Sequence, residues 1–423
     1  MDFDLINEEK AESALLISVD TGEYDAQVSI AELSLLAETA GAEVIGEMIQ
    51  KRASVEGATY VGSGRLREIK EFCDNNQVDL IIADGELSPV QVRNIEDITD
   101  VRVVDRTTLI LDIFAGRARS KEGKLQVELA QLKYSLPRLT GKGVSLSRLG
   151  GGIGTRGPGE TKLESDKRHI RRRIQSIREE LDNVEKRRTM QHKRRKKNGV
   201  LTAAIVGYTN AGKSTLMNRL TDAGVLQEDK LFATLDPTAR KLFLPDGRQI
   251  MIVDTVGFIS RLPHQLVDAF RSTLEEAVYA DVILNVCDAS SEECHNHIRT
   301  TQEILKSLFN DGIICAPVIN VFNKCDIAEQ AEDKIYFYGA ENPCVRISAK
   351  TGEGVGDLLS AVQSALPQTR RRARVLIPFF DGSAAAALRR DGVVHFEEYT
   401  ADGLFMEVTA EISELDKIKD YII

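Results

Sequence analysis

At 423 residues with ordinary apolar content, the chain is too long for one core and should hold about three domains. Its net charge of −10 argues against a protein that coats nucleic acid over its whole surface, and no apolar run approaches the length needed to span a bilayer. The acidic start MDFDLINEEK lacks the basic and apolar regions of a signal peptide, so a soluble, cytoplasmic protein is expected; a monomer is expected as well.

The first stretch, 1–120, alternates strand-like and helix-like segments. ALLISV from Ala14, EVIGEMI from Glu43, VDLIIAD from Val78 and VRVVD from Val101 read as strands. Helical patterns lie between them at Ser29–Thr39, Arg65–Asn75 and Pro89–Ile98. Such alternation predicts an α/β layer with a largely parallel sheet.

A different architecture is expected over 121–198. Leu125, Leu129, Leu132, Leu136 and Leu139 follow a heptad spacing, as do Leu163, Ile170, Ile174, Ile177, Leu181 and Val184. Two antiparallel helices packed as a coiled-coil hairpin satisfy both seams, with Pro137 kinking or ending the first. The connection over 141–160 holds eight glycines, and Lys142, Arg148 and Arg156 precede any acid. A flexible linker would account for the glycines. A hairpin tip accounts for them better, because the two helices it joins pack on each other and glycine permits close approach to a partner backbone. Lys162 to Lys197 contains about fifteen Lys or Arg against about six Asp or Glu. Its last part, with Lys193, Arg194, Arg195, Lys196 and Lys197, is either a solvated helix end or a contact for RNA phosphates. RRRAR at Arg370–Arg374 forms a second basic cluster. Local basic surfaces on an acidic body suit docking to RNA at chosen points.

Over 199–367 the strands LTAAIVG, QIMIVDT, DVILNVCD, PVINVFN and CVRIS predict a doubly wound sheet with ligand loops after the strand ends. The tail over 368–423 reads strand, helix, strand, strand, helix, with VLIPFF as its first strand, and predicts a small α+β domain. The six cysteines show no CxxC pair and are expected to be reduced thiols. Cys294, His295 and His297 could be read as metal ligands, but without a second ligand pair a helix surface is the expectation.

Four motifs in the 199–367 region carry chemistry. GYTNAGKS runs from Gly207 to Ser214 between a strand and a helix. Its glycines let backbone N–H groups wrap phosphates at a helix N-terminus. Gly207, Tyr208, Thr209, Asn210, Ala211 and Gly212 are expected to line the phosphates. Lys213 should neutralise the β and γ oxygens, Ser214 should ligate Mg²⁺, and Thr215 closes the loop. DTVG places Asp254, about forty residues after Lys213, to hold Mg²⁺ through water, and Gly257, whose N–H can sense a γ-phosphate. Between them lies FATLDPT, where Phe232 and Ala233 adjoin the site. Thr234, or alternatively Thr238, would complete the Mg²⁺ shell. Lys213, Thr234 and Gly257 are the residues expected to act in catalysis.

NKCD and SAK choose the base. Asp326 can accept from both N1–H and the exocyclic amine of guanine, and adenine offers neither donor there. Asn323 should brace the loop, the Lys324 stem should cover the ring, and Ser348, Ala349 and Lys350 should close the pocket, with the Ala349 N–H reaching O6. The motifs predict a GTP-binding, GTP-hydrolysing enzyme. Phe258 stands where many GTPases carry a water-orienting glutamine; a ring there packs beside the switch, so hydrolysis should be slow without outside help.

These motifs, together with SRLGGGIGTRGPGETKLE at Ser147–Glu164 and FATLDPT, closely resemble the HflX family of ribosome-associated GTPases over essentially the whole chain. The resemblance implies binding to the large ribosomal subunit and its RNA, splitting of stalled or idle ribosomes under stress, and GTP-dependent release. It also implies that the glycine-rich tip reaches toward the peptidyl-transferase region. Asn210 resembles the asparagine of GTPases that use K⁺ beside the phosphates, although local loop hydrogen bonding is the commoner role. Rival readings are a GTP-dependent RNA- or ribosome-assembly factor and a protein-binding GTP switch, for which the basic hairpin would be superfluous. An RNA-modification GTPase is a further rival, but it lacks a visible one-carbon cofactor site or catalytic cysteine.

Overall fold

Four parallel strands open the chain: β1 (Ser13–Asp20), β2 (Glu43–Lys51), β3 (Leu80–Ala83) and β4 (Arg102–Asp105), in the order β2-β1-β3-β4. The structure, a computed structural model, describes residues 11–140, 162–221, 231–232, 236–261, 274–309, 313–328, 342–367 and 370–423. Strands β1 and β3 are nearly solid apolar runs, as expected of parallel strands covered on both faces. Helix α1 (Ala26–Ala40) starts on the Asp25 carboxylate, which accepts from the Gln27 and Val28 N–H groups. Helices α2 (Ser63–Asn76) and α3 (Pro89–Thr99) follow, the latter opened by a capping box between Ser88 and Gln91.

Helix α4 (Arg106–Arg117) leaves β4 without a loop, capped by Asp105. Periodicity does not announce it, because RTTLILDIFAGR is apolar on most sides. Burial of Leu109, Ile110, Leu111, Ile113 and Phe114 stabilises it instead. The hairpin follows as α5 (Lys121–Ser135) and α6 (Lys162–Lys197), with a 3-10 turn across Pro137 ending the first arm. Leu125 and Leu129 pack on Ile174 and Ile177 along the seam, flanked by Leu132, Leu136, Ile170 and Leu181. The pairs Lys121–Glu180 and Glu128–Arg173 show the arms to be antiparallel. These exposed pairs contribute about 0.2–1 kcal/mol each, so the apolar seam carries the association.

The second sheet runs β10-β9-β8-β5-β7-β6. Its strands are β5 (Thr202–Gly207), β6 (Thr238–Phe243), β7 (Gln249–Asp254), β8 (Val282–Asp288), β9 (Val318–Asn323) and β10 (Cys344–Arg346). Helices α7 (Lys213–Thr221), α8 (Cys294–Leu308) and α9 (Val355–Ala365) belong to it. Strand β6 has no counterpart among the strands expected from the sequence. TARKLF is mostly exposed and pairs antiparallel to β7 at the sheet edge, where burial imposes no alternation. The sheet is therefore mixed.

One apolar core joins the two sheets: Leu16, Leu33, Ile110 and Phe114 share it with Val206, Phe258, Leu274 and Leu305. Residues Met1–Gln363 accordingly form one compact unit and Ser364–Ile423 another. The second unit holds β11 (Arg370–Ile377), α10 (Gly382–Asp391), β12 (Val393–Tyr399), β13 (Leu404–Glu411) and α11 (Ile412–Lys417) in an antiparallel sheet ordered β11-β13-β12. The RRRAR cluster is not a free basic patch. It begins β11, Ala373 points into the core, and Arg372 and Arg374 both turn to Glu407 at 3.1 and 3.5 Å.

Two sequence expectations about α8 need correction. Cys294 is fully buried, because it starts the stripe Cys294, Ile298, Thr301, Leu305 and Leu308 that faces the core. His297 is covered by the Tyr208 ring, stacked at 3.7 Å between centroids. Among the described residues no group of three or more His, Cys, Asp or Glu could hold a metal ion, and no helix is long and apolar enough to cross a membrane.

Candidate nucleotide-binding site

The GYTNAGKS loop runs between fully buried β5 and the first turn of α7. Asn210 and Gly212 are left-handed (φ +59° and +89°), which folds the loop back over the helix N-terminus and gathers its N–H groups there. Lys213 is buried, and its ammonium donates to the Tyr208 carbonyl at 2.7 Å. Burial pushes this lysine down to about 8, with Asp254 acting in the opposite sense. The Ser214 hydroxyl donates to Asp254 Oδ2 at 3.2 Å, so a hydroxyl and a buried carboxylate stand together beside the lysine. That all-oxygen pair fits Mg²⁺, which takes one or two protein ligands and keeps several waters.

Main-chain bonds fasten the DTVGF segment to this loop. The Thr209 N–H donates to the Phe258 carbonyl at 2.7 Å, and the Phe258 N–H donates to the Gly207 carbonyl at 3.1 Å. Gly257 is required by close approach: a Cβ would stand 2.8 Å from Lys213 Nζ and 2.9 Å from Thr209 Cγ2. The Phe258 ring is buried in the shared core and presents no group that could orient water. Thr238 begins β6 opposite Asp254 and is exposed; Ala233 and Thr234 lie outside the described residues.

At the base end Asn323 bridges three segments. Its Nδ2 donates to the Ala211 carbonyl at 2.8 Å, and its Oδ1 accepts from the Ala349 N–H at 2.9 Å. The Ala349 N–H expected to reach O6 is thus engaged with Asn323 here. Lys324 is left-handed (φ +62°) and pairs with Asp288 at 2.7 Å. Although burial opposes it, bonds from Lys324 and Ser290 hold the Asp288 carboxyl below its ordinary value. Ser348 is buried, while Asp326 and Lys350 are exposed at the rim. Arg219 of α7 donates to the Ala349 carbonyl at 3.1 Å and also to that of Lys350. Thr215 is half-buried on the same helix.

The side chains of two residues expected to line or adjoin the nucleotide turn away from the loop. The Phe232 ring is buried edge-on against Phe114, 4.5 Å between centroids, because apolar α4 offers it a dry surface. The Tyr208 hydroxyl donates to Glu32 of α1 and accepts from the Ser260 N–H. A buried charge network continues from there. Arg106 binds Glu32, Asp84 (2.9 Å) and the Ser260 carbonyl (3.2 Å), and Arg261 reaches Asp84 at 3.1 Å. Burial works against the Arg106 charge, but Glu32 and Asp84 hold its pKa above the ordinary value. Burial and Glu32 likewise keep the Tyr208 phenol neutral. No motif marks Glu32, Asp84, Arg106 or Ser260, which lie on or beside elements that read as ordinary amphipathic structure. A cavity of about 720 Å³ opens beside Thr209–Ala211, between α1 and the start of α8.

The basic end of α6 divides into two sets. Arg188 pairs with Glu122 (2.8 Å) and Glu275 (2.6 Å), and His192 and Arg195 pair with buried Glu276 at 3.3 and 3.4 Å. Arg195, expected to face RNA, therefore faces the protein. Lys193, Arg194, Lys196 and Lys197 are exposed. Lys142, Arg148 and Arg156 lie outside the described residues.

Three family models match in chain order: GTP-binding GTPase N-terminal over residues 27–115, GTP-binding GTPase Middle Region over 117–195, and 50S ribosome-binding GTPase over 202–324. The GTPase HflX of Caldanaerobacter subterraneus subsp. tengcongensis is 50% identical over 414 residues, covering 97% of this chain and 94% of that protein. The chain belongs to the HflX family of GTPases. The HflX of Escherichia coli K12 is 42% identical over 356 residues, 84% of this chain and 83% of its own. Among solved structures, a GTP-binding protein from the archaeon Sulfolobus solfataricus in complex with GDP is 27% identical, with a TM-score of 0.46, covering 84% of this chain and 98% of that one. As an HflX GTPase this protein binds GTP and hydrolyses it to GDP and phosphate. Mg²⁺ dependence goes with this class of GTPase.

Proposed function

We propose that this HflX GTPase binds the large ribosomal subunit and its RNA when GTP is bound, splits or rescues stalled or idle ribosomes under stress, and leaves after hydrolysis. It would do so as a cytoplasmic monomer. The observation that carries the reading is the double use of α6. One side of its end grips Glu275 and Glu276, which follow the DTVGF segment, and Lys193, Arg194, Lys196 and Lys197 on the same turns are exposed. Basic surface and the grip on the Glu275–Glu276 pair thus share one rod. The match to a family described as 50S ribosome-binding supports the partner, and the glycine-rich tip with Lys142, Arg148 and Arg156 is assigned to RNA in the same reading.

In this reading the main chain of Gly207–Thr215 wraps the phosphates and Lys213 neutralises the charge that builds on the γ-phosphoryl group as water attacks it. Ser214, Thr234 and, through water, Asp254 would hold Mg²⁺, which supplies further neutralisation when bound. Gly257 senses the γ-phosphate through its N–H. Asn323, Lys324, Asp326 and Ser348–Lys350 hold guanine. Since Phe258 cannot orient water, hydrolysis is slow alone and accelerated when the large subunit orders the switches.

Sedimentation with ribosomal subunits tests the reading. Binding to the large subunit is expected with a non-hydrolysable GTP analogue and not with GDP; equal binding in both states removes the switch. Lys196→Glu with Lys197→Glu should weaken binding and flatten its dependence on log salt by about 0.7–0.9 per lost phosphate contact. For Asn210, we propose K⁺ as a charge-stabilising ion beside the phosphates. Ribosome-stimulated hydrolysis should then be faster in K⁺ than in Na⁺, and equal rates in the two salts exclude it.

A further inference from the structure

One carboxylate ties FATLDPT to the root of the hairpin. Asp236 stands two residues before Thr238, which starts β6 and pairs with Asp254. Its Oδ2 accepts from the N–H groups of Arg119 (2.9 Å) and Ser120 (2.8 Å), and its Oδ1 accepts from the Ser120 hydroxyl. Ser120 is itself the N-cap of α5, its Oγ taking the Gly123 N–H at 2.8 Å. A single anion therefore takes three donors at the positive end of a 15-residue helix, the geometry in which a carboxylate is held most firmly. The approach depends on glycine in the first turn. A Cβ at position 123 would stand 2.5 Å from Asp236 Oδ1.

We propose that Asp236 is a positioning residue through which the bound nucleotide sets the base of the hairpin. On one side of it the chain is fixed, because β6 is laddered to β7 as far as Asp254. On the other side, two residues away in the sequence, is Thr234, which in the function proposed above joins the Mg²⁺ shell. A change of nucleotide pulls on the chain between these points, and Asp236, the one charged residue in the sequence between Thr234 and Thr238, is gripped by α5. The grip on α5 then differs between GTP and GDP, and by linkage the hairpin biases the choice of nucleotide to the same extent. The inference rests on GTP binding and not on any ribosomal partner, so a failed ribosome experiment leaves it standing.

Hydrogen exchange on the full chain, with Mg²⁺ and either GDP or a non-hydrolysable GTP analogue, tests it. In the wild type the amides of residues 119–123 should exchange roughly fivefold or more differently in the two nucleotides. Asp236→Asn should erase that difference. Gly123→Ala, which displaces the carboxylate from the hairpin side, should erase it too and shift the ratio of GTP to GDP affinity. A merely structural bond would lower protection equally in both nucleotides. No difference in the wild type, or a difference that survives in both variants, overturns the proposal.

Discussion

Asp326→Asn is expected to cost GTP about three orders of magnitude in affinity and to make xanthosine triphosphate the better ligand. In the proposed pocket the carboxylate would accept from both N1–H and the amine of guanine; an amide would turn a donor toward that amine, whereas xanthine offers a carbonyl there. Nothing else in the pocket should move. The Asn323 bridge to Ala211 and Ala349, the Lys324–Asp288 pair and the Arg219 hold on the Ala349 carbonyl are all made without Asp326. Displacement of a fluorescent guanine nucleotide by GTP and by xanthosine triphosphate reads the change. A variant that still prefers GTP would mean that another group reads the base.

Lys213→Met should move stability and activity in opposite directions. The ammonium is fully buried, and burial lowers its pKa from 10.5 to about 8 in the nucleotide-free protein. That shift corresponds to roughly 3 kcal/mol of disfavoured charge. Methionine fills similar space without it, and losing the bond to the Tyr208 carbonyl returns about 1 kcal/mol. The nucleotide-free variant should therefore melt higher, by an amount on the order of 1–2 kcal/mol in stability. Single-turnover hydrolysis should fall about a thousandfold, because the lysine's counter-charge to the γ-phosphoryl group is lost. A variant that is both slower and less stable would indicate that the loop has collapsed, against the packing described here.

The elements legible in the sequence are those where burial writes a period. The strands at Ala14, Val78 and Val101 and the heptad seams of the hairpin follow it, and the phosphate loop and NKCD declare themselves through residue types that phosphate and guanine demand. What stayed hidden has no such period. Helix α4 is apolar nearly all round, and β6 is an exposed edge strand without alternation. Cys294 looked like surface because histidines follow it, yet the stripe through Ile298 and Leu305 begins with it. The network of Glu32, Asp84, Arg106 and Tyr208 joins residues far apart in the chain, and charged residues on amphipathic helices carry no mark of the partner they will find. The side chains of Tyr208 and Phe232 follow the neighbouring fold, which a loop motif does not encode.

The common core has a hereditary consequence. Phe114 comes from the first sheet's last helix and Phe232 from the FATLDPT segment, and their rings meet inside it. A lineage that enlarged one would have to trim the other, and a GTPase sheet borrowed from an unrelated relative would arrive with an unmatched hole. The two halves are therefore bound to be inherited together, drifting in step as one lock and its key.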